Sequence, residues 1–249
     1  MCCFTGVVQW VAGTKIFAKP WRDGSQFLAY GMSVHFKDEL AMVLPIPVPK
    51  NSDERAVGFI NLKGYPEFFR DMAKGFPAAG STTRGGIGGV VPAAAAPRLE
   101  VHEVGNFEAS FVPKIADFAR LDARFRLADG VWDQLPDYVD YGFAVFKLKL
   151  GKENVHAMAF SFPRADRKQI FFPTVHIHDG KVHATAEFDH VLYFQLSDAD
   201  YSPKHGWTES TVPAGMFMNM QKIGDYLDAG LHCYRREIRG RQKNADVWV

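Results

Sequence analysis

Long apolar runs are missing from this sequence. No stretch of its 249 residues approaches the ~18 consecutive apolar side chains that a transmembrane helix needs, so no membrane partner is expected. A charge excess of one sign is missing as well, because 29 basic residues stand against 28 acidic ones, for a net charge of +1. A nearly neutral chain has no broad positive electrostatic potential to attract a polyanion, so no nucleic-acid partner is expected either.

The sequence motifs of the common cofactor and metal enzymes are also missing. The chain has no dinucleotide fingerprint, no phosphate loop ending in Lys-Ser/Thr, no Cys-x-x-Cys and no His-Glu-x-x-His. We therefore expect no nucleotide cofactor.

Cysteine is scarce, with Cys2, Cys3 and Cys233 as the three in the chain. An odd number in so long a chain does not suit a disulfide-stapled secreted scaffold. The N-terminal stretch has neither the basic start nor the apolar run and small-residue cleavage site of a secretion signal. These features predict a cytoplasmic protein.

Aromatic residues and short β-type segments are abundant. The 21 Phe supply most of the 14% aromatic content, and Phe is enriched in sheets. Strand-length segments recur along the chain without the strand–helix alternation of a parallel α/β fold. The sequence thus predicts a mainly β fold (α+β minor), an antiparallel β-sandwich with short helical insertions. One such helix is expected at residues 65–75, where Pro66 suits the first turn and Gly75 the end.

One segment, residues 78–97, is composed mainly of Gly, Ala, Ser, Thr and Pro. A segment with so few large side chains buries too little apolar area to offset the entropy of ordering it. We therefore predict one β-rich domain over residues 1–249, interrupted by a flexible insert at 78–97.

Three motifs bear a family resemblance. Cys3 followed by Phe4, a Leu-Pro-Ile-Pro strand end at residues 44–47 and a Gly-Phe-x-x-Phe-x-Leu-Lys strand at residues 142–149 resemble a bacterial domain family of unknown function. Its members carry an N-terminal Cys, a Leu-Pro-x-Pro strand end and a similar later strand. The resemblance implies a β-rich, single-domain fold and brings no catalytic residues to this chain.

The segment TVHIHDGKVHATAE, residues 174–187, predicts a β-hairpin. Asp179-Gly180 is a strong signal for a two-residue turn, because both turn positions favour positive φ. That turn would pair His176 with His183, and alternation would place His178 on the same face. His190, just beyond this segment, falls with Phe188 and Leu192 on the apolar face, so we expect it to be buried and hydrogen-bonded.

A metal site is the leading functional hypothesis from this hairpin. Cross-strand neighbours lie roughly 5 Å apart at Cβ, close enough for His176, His178 and His183 to reach one ion at ~2.1 Å. Zinc or copper suits such imidazole ligands, and Glu187 on the same predicted face would act as the catalytic base of a metal-dependent hydrolase or oxidoreductase. The competing interpretation is a solvated sheet face, which Lys181 favours.

Two alternatives come from other functional classes. If the initiator Met is removed, Cys2 becomes an N-terminal nucleophile whose own amine serves as base, as in some amidohydrolases. The other alternative is a non-catalytic protein-interaction module that meets a partner through a Phe-rich surface or through the insert at 78–97. The sequence leaves open whether the protein is an enzyme.

Overall fold

The computed structural model of the protein describes residues 2–77, 101–105, 107–128, 130–148, 156–196 and 206–249. The side chain of Cys2 and the predicted insert at 78–97 lie outside this description. In the described segments, no helix combines the length and the apolar character needed to span a bilayer.

Strands dominate the described segments, and the helices are short. In chain order the strands are β1 (Cys2–Phe4), β2 (Val8–Pro20), β3 (Ser25–Phe36), β4 (Leu40–Ile46), β5 (Gly58–Asn61), β6 (His102–Val104), β7 (Phe107–Val112), β8 (Gly142–Leu148), β9 (Met158–Pro163), β10 (Phe171–Phe172), β11 (His176–Ile177), β12 (Thr185–Phe194), β13 (Thr208–Glu209), β14 (Tyr234–Lys243) and β15 (Val247–Trp248). The α-helices are α1 (Phe68–Lys74) and α2 (Met220–Ile223). Short 3₁₀ turns occur at Arg22–Gly24, Ile115–Arg120, Ala123–Phe125, Trp132–Gln134, Pro136–Tyr138, Ala214–Met216 and Gly224–Tyr226.

Two large sheets and one small one organise the strands. The first sheet has six strands in the order β11-β1-β4-β8-β7-β6, and the second has seven in the order β13-β14-β12-β2-β3-β9-β5. Strands β10 and β15 form a separate pair. Most pairs are antiparallel, but β1 runs parallel to β11 and β12 runs parallel to β2. The predicted mainly β fold is therefore confirmed, with two parallel pairs that the sequence did not reveal.

The two large sheets pack face to face around a Phe-rich core. Phe146 of β8 and Phe160 of β9 belong to different sheets, and their ring centroids lie 5.7 Å apart. Strand β4, in the first sheet, is buried along its whole length, which explains why it is an apolar run rather than an alternating one. Where β7 and β8 meet, Gly142 leaves room for the ring of Phe111, whose Cε2 lies 2.5 Å from where a Cβ would be.

A second core lies on the outer face of the second sheet, beneath α1. Phe68 of α1 contacts Phe17 of β2, with ring centroids 5.8 Å apart. The predicted helix at residues 65–75 is confirmed as α1, which ends at Lys74 just before Gly75. Burial of its apolar face, rather than intrinsic helix propensity, is what stabilises so short a helix.

Candidate functional site

The predicted hairpin at residues 174–187 does not form as a paired ladder. His176 and Ile177 make up β11, which pairs in parallel with Cys2 and Cys3 of β1. The return strand β12 begins only at Thr185 and pairs with β14 and β2. The prediction that His176 pairs with His183 is therefore wrong.

The carboxamide of Asn244 stands between the two arms and explains why they do not pair. Its Nδ2 donates to the carbonyl oxygen of His176 and to that of His183, both at 2.9 Å. Its Oδ1 accepts the backbone N–H of His176 at 2.7 Å. The hydrogen-bonding groups that would have joined His176 to His183 are thus satisfied by a side chain inserted between them.

Three imidazoles do come together, but they are not the predicted three. His176, His178 and His190 form what we call the histidine cluster. Ring centroids lie 4.9 Å apart for His176 and His178 and 4.7 Å apart for His176 and His190. Nε2 of His176 and Nε2 of His190 are 3.2 Å apart, a hydrogen bond in which one ring donates and the other accepts. His190 is fully buried, which confirms the prediction of a buried, hydrogen-bonded histidine.

The histidine cluster is buried and neutral, although the carboxylate of Asp189 lies 3.7 Å from Nδ1 of His190. Phe188 of β12 packs against His176 at 4.5 Å between ring centroids. Burial lowers the pKa of His176 to about 3, and burial also lowers the pKa of His178 and of His190. Nδ1 of His190 and Nε2 of His178 are buried without a hydrogen-bond partner in the described structure. The three rings therefore remain uncharged at neutral pH.

His183 and Glu187 lie away from the histidine cluster, which corrects their predicted placement. Nε2 of His183 pairs with Oδ2 of Asp179 at 2.9 Å on the exposed loop, and this pairing lowers the pKa of Asp179. Glu187 is exposed and occupies β12 between Ala186 and Phe188. Because side chains alternate along a strand, Glu187 projects from the face opposite Phe188 and His190.

The predicted ligand set for zinc or copper is therefore not assembled as expected. Across the described segments, no group of three or more His, Cys, Asp or Glu side chains is arranged to hold a metal ion. Metal binding by His176, His178 and His183, and catalysis by Glu187, stay predictions.

The structure describes the side chains of two of the three cysteines, and both are buried. The backbone of Cys2 pairs with His176 in β1, and its role as a nucleophile stays a prediction. Cys3 is fully buried in the core between the sheets. Cys233 is also fully buried, and burial raises its thiol pKa to about 12 while nearby Lys19 opposes the shift. A thiol held in that state is a poor nucleophile.

The predicted Phe-rich surface is wrong for the described residues, because their large exposed apolar side chains include no Phe. They are Val7, Trp10, Val101, Val139, Val212, Met216 and Trp248. Most of the described phenylalanines instead belong to the two cores or pack against them.

Trp10 lies on a two-stranded extension that we call the β2–β3 ribbon, residues 8–14 and 31–36. Here β2 and β3 pair with each other, while β12 joins β2 only from Lys15 onwards and β9 joins β3 only as far as Tyr30. Val34 packs on the core, whereas the Trp10 ring stacks on His35 at 6.2 Å and is 46% exposed. The adjoining Val7 is 80% exposed.

The point where the ribbon leaves the second sheet is fixed by Gly13 and Asp189. Gly13 has a φ of +63°, and the register of β2 against β3 shifts between Ala12 and Lys15. The backbone N–H of Gly13 donates to Oδ2 of Asp189 on β12 at 2.5 Å. On the N-terminal side of this contact, at residues 8–12, no strand in the described structure pairs with the edge of β2 that faces away from β3.

Among solved structures, the chain is similar to those of baculovirus P35. The crystal structure of baculovirus P35 matches with a TM-score of 0.50 and 15% identity, over 98% of this chain and 98% of that one. The caspase-8/P35 complex matches with a TM-score of 0.49 and 13% identity, over 95% of each chain. None of the known protein families matches the chain, nor does any curated protein sequence. The likeness to P35 shows the fold, a mainly β architecture shared over nearly the whole chain.

Proposed function

We propose that this protein is a non-catalytic protein-interaction module that binds its partner through the β2–β3 ribbon. The observation that carries the proposal is the exposed Trp10 on a ribbon whose outer edges have no strand neighbour in the described structure. Tryptophan is the side chain most often found to dominate the energy of a protein interface. A strand edge with free N–H and C=O groups adds an extended partner segment through main-chain hydrogen bonds.

The ribbon offers both elements side by side. The outer edge of β2 at residues 8–12 supplies backbone groups, and Trp10 with Val7 supplies apolar area at the same place. The stacking of Trp10 on His35 fixes the indole ring before a partner arrives, which reduces the entropy lost on binding.

A caspase-type protease is the partner class that we propose. P35, whose fold this chain shares, has been solved in complex with caspase-8. At 15% identity the likeness concerns the fold, so the partner is a proposal to be tested directly.

Binding of the purified protein to purified caspase-8 tests both parts of the proposal. Wild-type protein is expected to bind, and Trp10→Ala to weaken binding about 30-fold, the effect of losing roughly 2 kcal/mol at an interface hot spot. Trp248→Ala is the matched control, because Trp248 is a comparably exposed indole, 38% exposed, on β15. Thermal denaturation establishes that both variants fold.

Each outcome decides one part. Absence of binding to caspase-8 rejects the partner class. Binding that Trp10→Ala and Trp248→Ala weaken equally, or that neither changes, rejects the ribbon as the contact surface.

A further inference from the structure

An open cleft of about 600 Å³ lies where the ends of β2 and β12 meet the loop that follows β9. We call it the basic cleft, because four cationic side chains line it: Lys19, Arg164, Arg167 and Lys168. Among the described residues that line it, Asp228 is the one with a carboxylate side chain. Apolar side chains, among them Ile170 and Leu231, complete the walls.

None of these four cations makes an ion pair within the described part of the chain. A second cleft of similar volume shows the contrast. There Lys50 pairs with Asp140 at 2.7 Å, and Arg120 pairs with Glu54. Cations of the second cleft are thus held in ion pairs, whereas the four cations of the basic cleft have none in the described part of the chain.

Gly24 lies against two of the cationic side chains, Arg164 and Arg167. Its carbonyl oxygen accepts a hydrogen bond from Nε of Arg164 at 3.2 Å, and Nη1 of Arg164 donates to the carbonyl of Gln169 at 3.3 Å. Nε of Arg167 lies 2.5 Å from where a Cβ on Gly24 would be, so any other residue there would displace it. Gly24 also has a φ of +76°, which few other residues adopt without strain.

The electrostatic consequence is visible at Arg164. Burial is the main cause that lowers the pKa of Arg164, the neighbouring Arg167 lowers it further, and Asp166 opposes the shift. A partly desolvated guanidinium with a second cation close by is stabilised when an anion binds between the two.

We propose that the basic cleft is a binding site for the phosphate group of a small organic phosphate ester. The cationic side chains outnumber the carboxylate side chains among the described lining residues, which favours a dianion over a ligand with a single negative charge. A guanidinium fork such as that of Arg167 matches the oxygens of a phosphate in bidentate geometry. The volume lies within the range of small-molecule sites, roughly 300–1,000 Å³, and the apolar walls suit the organic part of the ester.

Isothermal titration of the full chain tests the proposal with phenyl phosphate, inorganic phosphate and benzoate. Phenyl phosphate is expected to bind at least 10-fold more tightly than benzoate, which carries the same ring and a single charge. Tighter binding of phenyl phosphate than of inorganic phosphate would show that the apolar walls of the cleft contact the organic part of the ester. Equal binding of the two would overturn the ester assignment.

Charge removal locates the binding. The double variant Arg167→Gln/Lys168→Gln, at two exposed positions, is expected to weaken phenyl phosphate binding at least 10-fold. The matched control Lys37→Gln/Lys63→Gln removes two exposed cations that do not line the cleft and is expected to change nothing. The absence of saturable binding up to ~10 mM, or equal losses in both double variants, would overturn the proposal.

Discussion

Lowering the pH from 7 to 5 is expected to destabilise this protein, because two buried imidazoles must stay neutral in the folded state. His176 and His190 are both buried, and each offers its Nε2 to the other. A proton added to the accepting ring would abolish that hydrogen bond, and a proton on either ring would bring a charge into a buried site.

The magnitude follows from the difference between folded and unfolded chains. Burial lowers the pKa of His176 from 6.5 to about 3 and lowers that of His190 in the same direction. Between pH 7 and 5 each histidine of the unfolded chain takes up about 0.7 proton, while the folded chain takes up almost none. The free energy of unfolding therefore falls with pH, by about 2 kcal/mol for each ring and about 4 kcal/mol for the pair. This stability is present above pH 6.5 and is lost as the pH drops towards the folded pKa.

Urea denaturation at pH 7, 6 and 5 measures the effect. The double variant His176→Gln/His190→Gln keeps a neutral polar pair but removes two of the three rings of the histidine cluster, so its stability is expected to fall about 4 kcal/mol less than that of the wild type. His183→Gln, at the exposed ring beside Asp179, is expected to keep most of the wild-type dependence. A double variant as sensitive to acid as the wild type would refute the reasoning.

Two further predictions concern stability. Asp246→Ala is expected to cost about 4 kcal/mol, because Tyr138 Oη and the backbone N–H groups of Thr174 and Val175 lose their common acceptor. Urea denaturation measures it, and Asp53→Ala, at an exposed acceptor of a single bond, is the control. Gly142→Ala is expected to cost about 1–3 kcal/mol, since its methyl group would occupy the place of the Phe111 ring. A melting temperature equal to that of the wild type would contradict this second prediction.

The sequence predicted the local elements well because their signals are local. The apolar run of β4 and the Pro66-to-Gly75 signals of α1 lie within the elements themselves. The burial of His190 was also predictable, because it alternates with Phe188 and Leu192 on one face of β12.

The histidine site was not predictable, because its geometry depends on distant parts of the chain. Period-two alternation predicts which face of a strand His176 and His183 occupy, but it does not predict which strand each of them pairs with. Here β1 takes the edge of β11, and Asn244 enters between the arms from the C-terminal region. The basic cleft has the same character, since Arg164 and Arg167 are close in sequence whereas Lys19 joins them only through the fold.

The position of the first two strands has a consequence for synthesis on the ribosome. β1 lies between β11 and β4, and β2 lies between β12 and β3, so the earliest residues occupy interior positions in both large sheets. The contact of Gly13 with Asp189 spans 176 residues. β2 and β3 therefore emerge from the ribosome as a hairpin, and the edge of β2 that faces away from β3 stays unpaired until β12 has been synthesised. This pairing is non-local and slow, and the unpaired edge can meanwhile bind wrong partners. The second sheet can therefore be completed only after the last third of the chain has been synthesised, and a nascent chain halted before β12 exposes an incomplete sheet.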